Sequence, residues 1–176
     1  MPAANFAMTG MDELVRKLER LEPKNQRRAL RRAVGKAGNE IVKDARKRVA
    51  TNLGLLKLSL GRKDKVYKRS NTAVSVVGAR TRFKGKKAES IRAGGGRASK
   101  ARPANYAHLV EFGTKPHAIR GRGGFLAFAG IVTRVVNHPG SRPKPFLRPA
   151  FAAKRVEALS VAAKSLREDY AKAVKR

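Results

Sequence analysis

Apolar residues recur every three or four positions in two long segments of the chain. In residues 25–50 the apolar positions are Leu30, Ala33, Val34, Ala37, Ile41, Ala45 and Val49, while lysines and arginines occupy most of the opposite face. This spacing predicts an amphipathic helix about 39 Å long, at ~1.5 Å per residue. The same spacing predicts a short helix over 11–22 that Pro23 ends, and a long C-terminal helix that begins near Pro149.

The middle of the chain has the shorter patterns that are typical of β-strands. Val74 and Val76 alternate with small residues, and Ser70-Asn71 separates this run from residues 65–70, so a β-hairpin is predicted here. Three further short runs are consistent with strands: 116–120, 125–128 and 131–136. Residues 52–64 contain five leucines without a clear period, and we interpret them as a loop with apolar anchors.

Together these elements predict a fold of the α+β class. We expect one domain over 1–176, in which an antiparallel sheet of about four or five strands carries the long N-terminal and C-terminal helices on it. Gly35 and Gly38 weaken the long helix by up to about 1 kcal/mol each relative to alanine. Close packing of another part of the backbone at these glycines is the expected reason for their presence.

The segment 105–114 combines a dense apolar run with a single carboxylate. Tyr106, Leu109, Val110 and Phe112 provide apolar area, and Gly113 next to Thr114 indicates a tight turn. A short helix and a strand fit this run equally well, because periodicity does not distinguish them over so few residues. We expect an ordered, buried hub that enters a turn.

Three motifs in order resemble a known family. They are Tyr-Ala-x-x-Val-Glu-Phe-Gly-Thr at 106–114, His-Pro-Gly at 138–140 and Pro-Phe-Leu-Arg-Pro-Ala at 145–150. In this order they resemble the tail-completion, or neck, proteins of long-tailed bacteriophages, and with the flanking helices the resemblance covers roughly residues 12–170. The run 80–102 is longer and more basic than expected of the family. The residues 51–59 match only weakly the sequence pattern that the family carries after its first long helix.

The resemblance implies a small α+β virion protein that sits in a ring where the tail meets the head. Six copies are one option for that ring. In a closed ring one surface of each subunit fits a different surface of the next. We expect two segments to organise this contact, with the residues Tyr106, Glu111, Phe112, Gly113, Thr114, Pro145, Phe146, Leu147, Arg148 and Pro149.

Glu111 is one of only two acids between Asp64 and Glu157. A carboxylate among buried apolar residues needs a partner, because an unpaired buried charge is costly. Two alternatives remain open: an internal ion pair with an arginine, or a pair with Arg148 across a subunit boundary.

The charge balance points to acidic or polyanionic neighbours. Among 176 residues, 42 are Lys or Arg and 12 are Asp or Glu, for a net charge of +30. The residues 79–102 form a basic segment with three consecutive glycines and little apolar content, and we expect a mobile arm. Its candidate anion-facing or DNA-facing residues are Arg80, Arg82, Lys84, Lys86, Lys87, Arg92, Arg97, Lys100 and Arg102.

Other site classes find little support in the sequence. His108, His117, His138 and Glu111 do not have the spacing of a helical metal pair, and the chain contains no cysteine. No nucleophile elbow, phosphate-cradling loop or metalloprotease motif occurs. We therefore expect no metal, no cofactor and no catalysis. We also expect no signal peptide and no membrane span, because the longest apolar-rich run is far below ~20 residues.

The leading interpretation is a structural virion protein in the neck of a long-tailed phage, assembled in the host cytoplasm. Its expected partners are further copies of itself, neighbouring neck and tail proteins, and DNA contacted without sequence specificity. The alternative is a basic cellular nucleic-acid-binding protein without catalytic activity, which the pI of about 11.7 and the basic segment favour. A ring of defined mass that joins tails to heads distinguishes the first from the second.

Overall fold

A computed structural model describes residues 11–50, 54–81, 102–121, 123–128 and 130–174. Within them the helices are α1 (Met11–Glu19), α2 (Pro23–Arg48), α3 (Gly54–Ser59), α4 (Pro103–Phe112) and α5 (Leu147–Val174). The strands are β1 (Leu60–Tyr67), β2 (Thr72–Ala79), β3 (His117–Arg120), β4 (Leu126–Phe128), β5 (Ile131–Thr133) and β6 (Val135–His138). The predicted α+β class and the two long helices are confirmed.

The long helices α2 and α5 pack against each other. Small buried side chains on both helices, such as Ala33 on α2 and Ala163 on α5, allow the two backbones to approach closely. At the surface of this contact Arg32 Nη1 lies 2.9 Å from Asp169 Oδ1, and Lys36 Nζ lies 3.2 Å from Glu168 Oε2. The apolar side of α2 therefore packs against α5 as well as against strands.

The strands β1 and β2 form an antiparallel ribbon that packs on the other side of α2. The register runs from Leu60 opposite Ala79 to Tyr67 opposite Thr72. The predicted hairpin is thus confirmed, but its first strand begins at Leu60 and not at Lys65. A Cβ atom on Gly38 of α2 would lie only 2.5 Å from Ser75 Oγ on β2. The expected close packing at the helix glycines is confirmed, and its partner is the ribbon.

The remaining strands pair locally. β3 pairs with β6 and β4 with β5, both antiparallel, so the described strands form three two-stranded sheets. One sheet of four or five strands was expected. Alternation along a sequence marks where strands are, but it does not determine which strands become neighbours. Here each ribbon joins only strands that the chain connects through a turn or through another ribbon.

The main core lies where α2, α3, α4 and α5 meet the start of β1. Its buried residues are Ala45, Val49, Leu56, Leu60, Ala107, Phe146 and Ala150. The prediction of a loop over 52–64 is wrong, because Gly54–Ser59 is helical and β1 follows directly. One and a half helical turns are too short to show a period in the sequence. Among the described helices, none is long and apolar enough to cross a bilayer.

Candidate subunit interface

The hub segment is helical. Pro103 occupies the first turn of α4, where its missing N–H is not needed, and Gly113 ends the helix with φ of 73°. Pro103, Ala107 and Glu111 lie four residues apart and face the interior. The expectation that all of the apolar hub is buried is wrong, since Leu109 is 40% exposed and Phe112 is 70% exposed. These two side chains lie on the helix faces away from the core.

Glu111 holds the start of α5 in place. Its Oε2 accepts hydrogen bonds from the backbone N–H groups of Phe146 and Leu147 at 2.8 and 2.9 Å, and its Oε1 accepts one from Arg148 at 2.9 Å. The first N–H groups of a helix have no partner within the helix, so the carboxylate supplies the missing acceptor. Both oxygens of Glu111 are thus engaged within one chain.

This geometry corrects the expectation of an internal ion pair, because the direct partners of the carboxylate within the chain are backbone groups and not an arginine side chain. A pair with Arg148 of a neighbouring subunit stays a prediction. Burial by itself raises the pKa of Glu111, but the three backbone N–H groups and the positive charge of Arg148 together hold the pKa below its usual value. The side chain is therefore a buried anion at a helix N-terminus, which the helix dipole also favours.

Backbone hydrogen bonds also join the end of α4 to the loop before α5, in addition to the bonds of Glu111. Thr114 and Ser141 form an antiparallel bridge with N–H to carbonyl bonds of 3.0 and 3.1 Å, and the Lys144 N–H donates to the Val110 carbonyl at 2.8 Å. A Cβ atom at Gly113 would lie 2.5 Å from the Ser141 carbonyl oxygen, so only glycine fits this approach. The loop before α5 is thereby fixed against the end of α4.

Phe112 stands exposed between two shallow grooves that this arrangement creates. One groove, of about 430 Å³, is lined by residues of α4, the end of β2 and the start of α5, including Ala104, His108 and Leu147. The other, of about 490 Å³, is lined by Pro143, Pro145, Arg148, Pro149 and Ala152. Phe112 and Arg148 line both grooves. The two predicted segments therefore share one surface.

The predicted interface residues divide into two groups in this structure. Phe146 is 1% exposed and Glu111 is 6% exposed, so both lie in the interior and support the surface from below. Phe112, Pro145 and Arg148 are exposed on it. The remaining members, which are partly buried, are Tyr106, Gly113, Thr114, Leu147 and Pro149. The assignment of these residues to a subunit contact stays a prediction.

Sequence reasoning missed Ser141, Pro143 and Ala152 as neighbours of this surface. Ser141 and Pro143 lie in a proline-rich loop, and Ala152 is one of several alanines in α5. Nothing in their local sequence distinguishes them. They reach the surface only because Glu111 and the Thr114–Ser141 bridge fix the position of the loop and of the helix start.

The histidines and the anion-facing candidates do not come together in one place within the described residues. His117 and His138 face each other across the β3–β6 pair with ring centroids 5.2 Å apart, whereas His108 lines the groove beside Phe112. Of the anion-facing candidates, Arg80 and Arg102 are described and exposed. Seven candidates lie outside the described residues, as does most of the predicted arm: Arg82, Lys84, Lys86, Lys87, Arg92, Arg97 and Lys100.

Comparison with known families finds a matching family model. The model of a family described as "Bacteriophage HK97-gp10, putative tail-component" matches residues 12–113, more than half of the chain. The match includes α1 to α4 and ends at the glycine that closes α4, so the motifs at 138–140 and 145–150 lie beyond it. No curated protein and no solved structure matches the chain. The resemblance to a phage tail family is thus confirmed, and the chain belongs to the HK97-gp10-like family of bacteriophage tail components.

Proposed function

We propose that this chain is a tail-completion or neck component, whose copies form a closed ring at the junction of head and tail. Its role is structural and involves no catalysis. In the ring, the surface around Phe112 on one subunit contacts a different surface of the next subunit. Its other partners are neighbouring neck and tail proteins, and its place is in the virion after assembly in the host.

The exposure of Phe112 is the observation that carries this proposal. A phenylalanine that is 70% exposed leaves a large apolar area in water, and buried aromatic side chains dominate the energetics of many protein contacts. The two grooves beside it are formed by both motif segments. The hydrogen bonds of Glu111 and the Thr114–Ser141 bridge hold this surface in one geometry. A fixed surface with an exposed aromatic side chain suits a specific contact between subunits.

The test uses Phe112→Ser in the full chain and in a phage that depends on this gene. We expect the wild-type chain to give a discrete multiple of 19.2 kDa by light scattering and a ring by negative-stain microscopy. We expect Phe112→Ser to remain folded but to lose the oligomer, and to leave unjoined heads and tails in lysates. Removal of one exposed side chain away from the core should change the folding free energy by no more than about 0.5 kcal/mol.

Tyr67→Ser is the matched control, because Tyr67 is 50% exposed at the far end of the β1–β2 ribbon. It should leave both the oligomer and the joining of heads to tails intact. The proposal would be overturned if joined particles contained a single copy of the wild-type chain. It would also be overturned if the Phe112→Ser chain joined heads and tails normally.

A further inference from the structure

A cationic groove lies between α2 and the β1–β2 ribbon, away from the Phe112 surface. It measures about 420 Å³, and its charged lining residues are Lys43, Arg46, Arg62 and Arg80. An adjoining groove of about 460 Å³ shares Arg62 and Arg80 and adds Lys63. No carboxylate lines either groove within the described residues.

Local geometry brings these cations together. Lys43 and Arg46 are three residues apart on α2, and so they share one helix face. Arg62 projects from β1 toward α2, where its Nε donates to Asn39 Oδ1 at 2.7 Å. A Cβ atom on Gly61 would lie 2.5 Å from Arg80 Nε, so the missing side chain allows the Arg80 guanidinium to lie against the strand.

Internal partners orient some of these cations and leave others available. Arg46 Nη2 donates to the Leu60 carbonyl at 2.6 Å, and Lys43 Nζ lies 2.7 Å from Glu40 Oε1. Arg62 pairs with Asp64. For Arg80 and Lys63, in contrast, no carboxylate lies within ion-pair distance in the part of the chain that the structure describes. The groove therefore keeps a net positive charge after its internal pairs are formed.

The cationic surface continues along the outward face of the ribbon. Lys63 and Lys65 are exposed opposite Val76 and Val74, and Lys68 and Arg69 follow in the turn. The ribbon's one acid, Asp64, instead contacts Ser75 and Arg62 on the face toward α2. An eight-residue strand spans about 26 Å at ~3.3 Å per residue. This length corresponds to about eight base pairs of duplex DNA at ~3.4 Å each.

We propose that this groove and the outward face of the ribbon bind the phosphate backbone of duplex DNA without sequence specificity. The guanidinium groups match phosphate oxygens in geometry as well as in charge. The cations follow an extended line, which suits a linear polyanion better than a single small anion. This binding goes beyond the proposed role in ring assembly and does not depend on it.

The test measures the fluorescence anisotropy of a labelled duplex of about eight to twenty base pairs titrated with the full chain at several salt concentrations. Lys63→Gln/Arg80→Gln removes two charges that have no ion-pair partner among the described residues. Counterion release predicts that the slope of log K against log salt falls by about 1.8, and that affinity at low salt falls about tenfold or more.

Lys24→Gln/Lys172→Gln is the matched control with the same change in charge. Both lysines are exposed, and Lys24 lies roughly 30 Å from Lys43 along α2 at ~1.5 Å per residue. This variant should lose less than about twofold in affinity, because charges beyond the Debye length of ~10 Å contribute little. Circular dichroism and light scattering on each variant separate DNA binding from folding and from ring assembly.

Three outcomes would overturn the proposal. Equal losses of affinity in both variants would show that the net charge of the chain, and not this surface, binds DNA. A wild-type chain that does not bind the duplex would directly exclude DNA binding by this surface. Polyglutamate that binds as tightly as DNA, with the same loss in Lys63→Gln/Arg80→Gln, would assign the surface to an acidic protein.

Discussion

At the residue scale, Glu111 is the side chain on which most of the described geometry around Phe112 depends. Capping side chains usually come from the residue just before a helix. Here the acceptor comes from another helix, 35 to 37 positions earlier in the chain, and it serves three N–H groups. The bond therefore fixes the tertiary position of α5 as well as satisfying its first turn.

Glu111→Gln should destabilise the fold by about 1–3 kcal/mol, because the amide offers one acceptor oxygen and no charge to three buried or partly buried donors. Urea unfolding followed by circular dichroism measures this loss. Glu157→Gln is the control, since the Lys154–Glu157 pair is exposed on α5; its effect should be below about 1 kcal/mol. Equal effects of the two substitutions would contradict the capping role.

The same residue predicts a pH dependence. Because the pKa of Glu111 in the native state lies below its ordinary value of 4.5, its contribution to stability is present above that value and is lost as the pH falls through the native pKa. The stability difference between wild type and Glu111→Gln should therefore shrink in acid. A difference that stayed constant far below pH 4.5 would show that the charge is unimportant.

At the scale of elements, the contact between α2 and the β1–β2 ribbon depends on a helix face without side chains. Gly35 and Gly38 lie under Arg62, Asp64 and Ser75 of the ribbon. The ribbon would otherwise be a lone hairpin, and a two-stranded hairpin is marginally stable by itself in water. Packing on α2 provides the burial that its strands need, and the outward face stays free for the proposed DNA contact.

Gly38→Ala should destabilise the protein by about 1 kcal/mol, although alanine is the better helix former by a similar amount. The added methyl group would lie 2.5 Å from Ser75 Oγ, and overpacking costs about 1–3 kcal/mol. Thermal unfolding of Gly38→Ala, Ser75→Ala and the double variant measures the coupling. The loss from Gly38→Ala should be smaller in the Ser75→Ala background, and an unchanged loss would place the clash elsewhere.

At the scale of the whole molecule, the net charge of +30 opposes both folding and self-association. The surface ion pairs between α2 and α5, Arg32–Asp169 and Lys36–Glu168, compensate for little of it, because exposed pairs contribute about 0–1 kcal/mol. In an assembled ring the repulsion between copies adds to that within each chain. We expect acidic ring neighbours or DNA to relieve this repulsion in the proposed virion.

Sodium chloride should therefore raise the melting temperature between about 0.05 and 0.5 M, because shortening the Debye length screens repulsion among cations. Each kcal/mol relieved corresponds to roughly 2–4 °C in a chain of this size. Differential scanning calorimetry measures the shift. A non-ionic additive at equal osmolality, with sodium chloride held at about 0.05 M, serves as the control because it does not change the Debye length. A melting temperature that falls with salt would mean that the ion pairs outweigh the repulsion.

Periodicity and turn residues were sufficient to predict several elements. The long helices, the β1–β2 hairpin and the strand at His117–Arg120 could be predicted because each repeats a local pattern or lies beside a strong turn signal. The helix α3 and the division into three ribbons could not, since a six-residue helix has no period and strand pairing is not encoded locally. The motif segments were identified as a possible interface, but their buried and exposed members were not distinguished.

The sequence by itself determined the class of fold, the excess of positive charge and the likeness to a phage tail family, because these depend on local pattern, composition and ordered motifs. The tertiary structure decided which groups meet. It gave Glu111 backbone partners at the start of α5 and left Phe112 in solvent. It also brought Lys43 and Arg46 of α2, Arg62 of β1, and Arg80, the residue after β2, into one groove. Such contacts join positions far apart in the chain, and their geometry is set by packing.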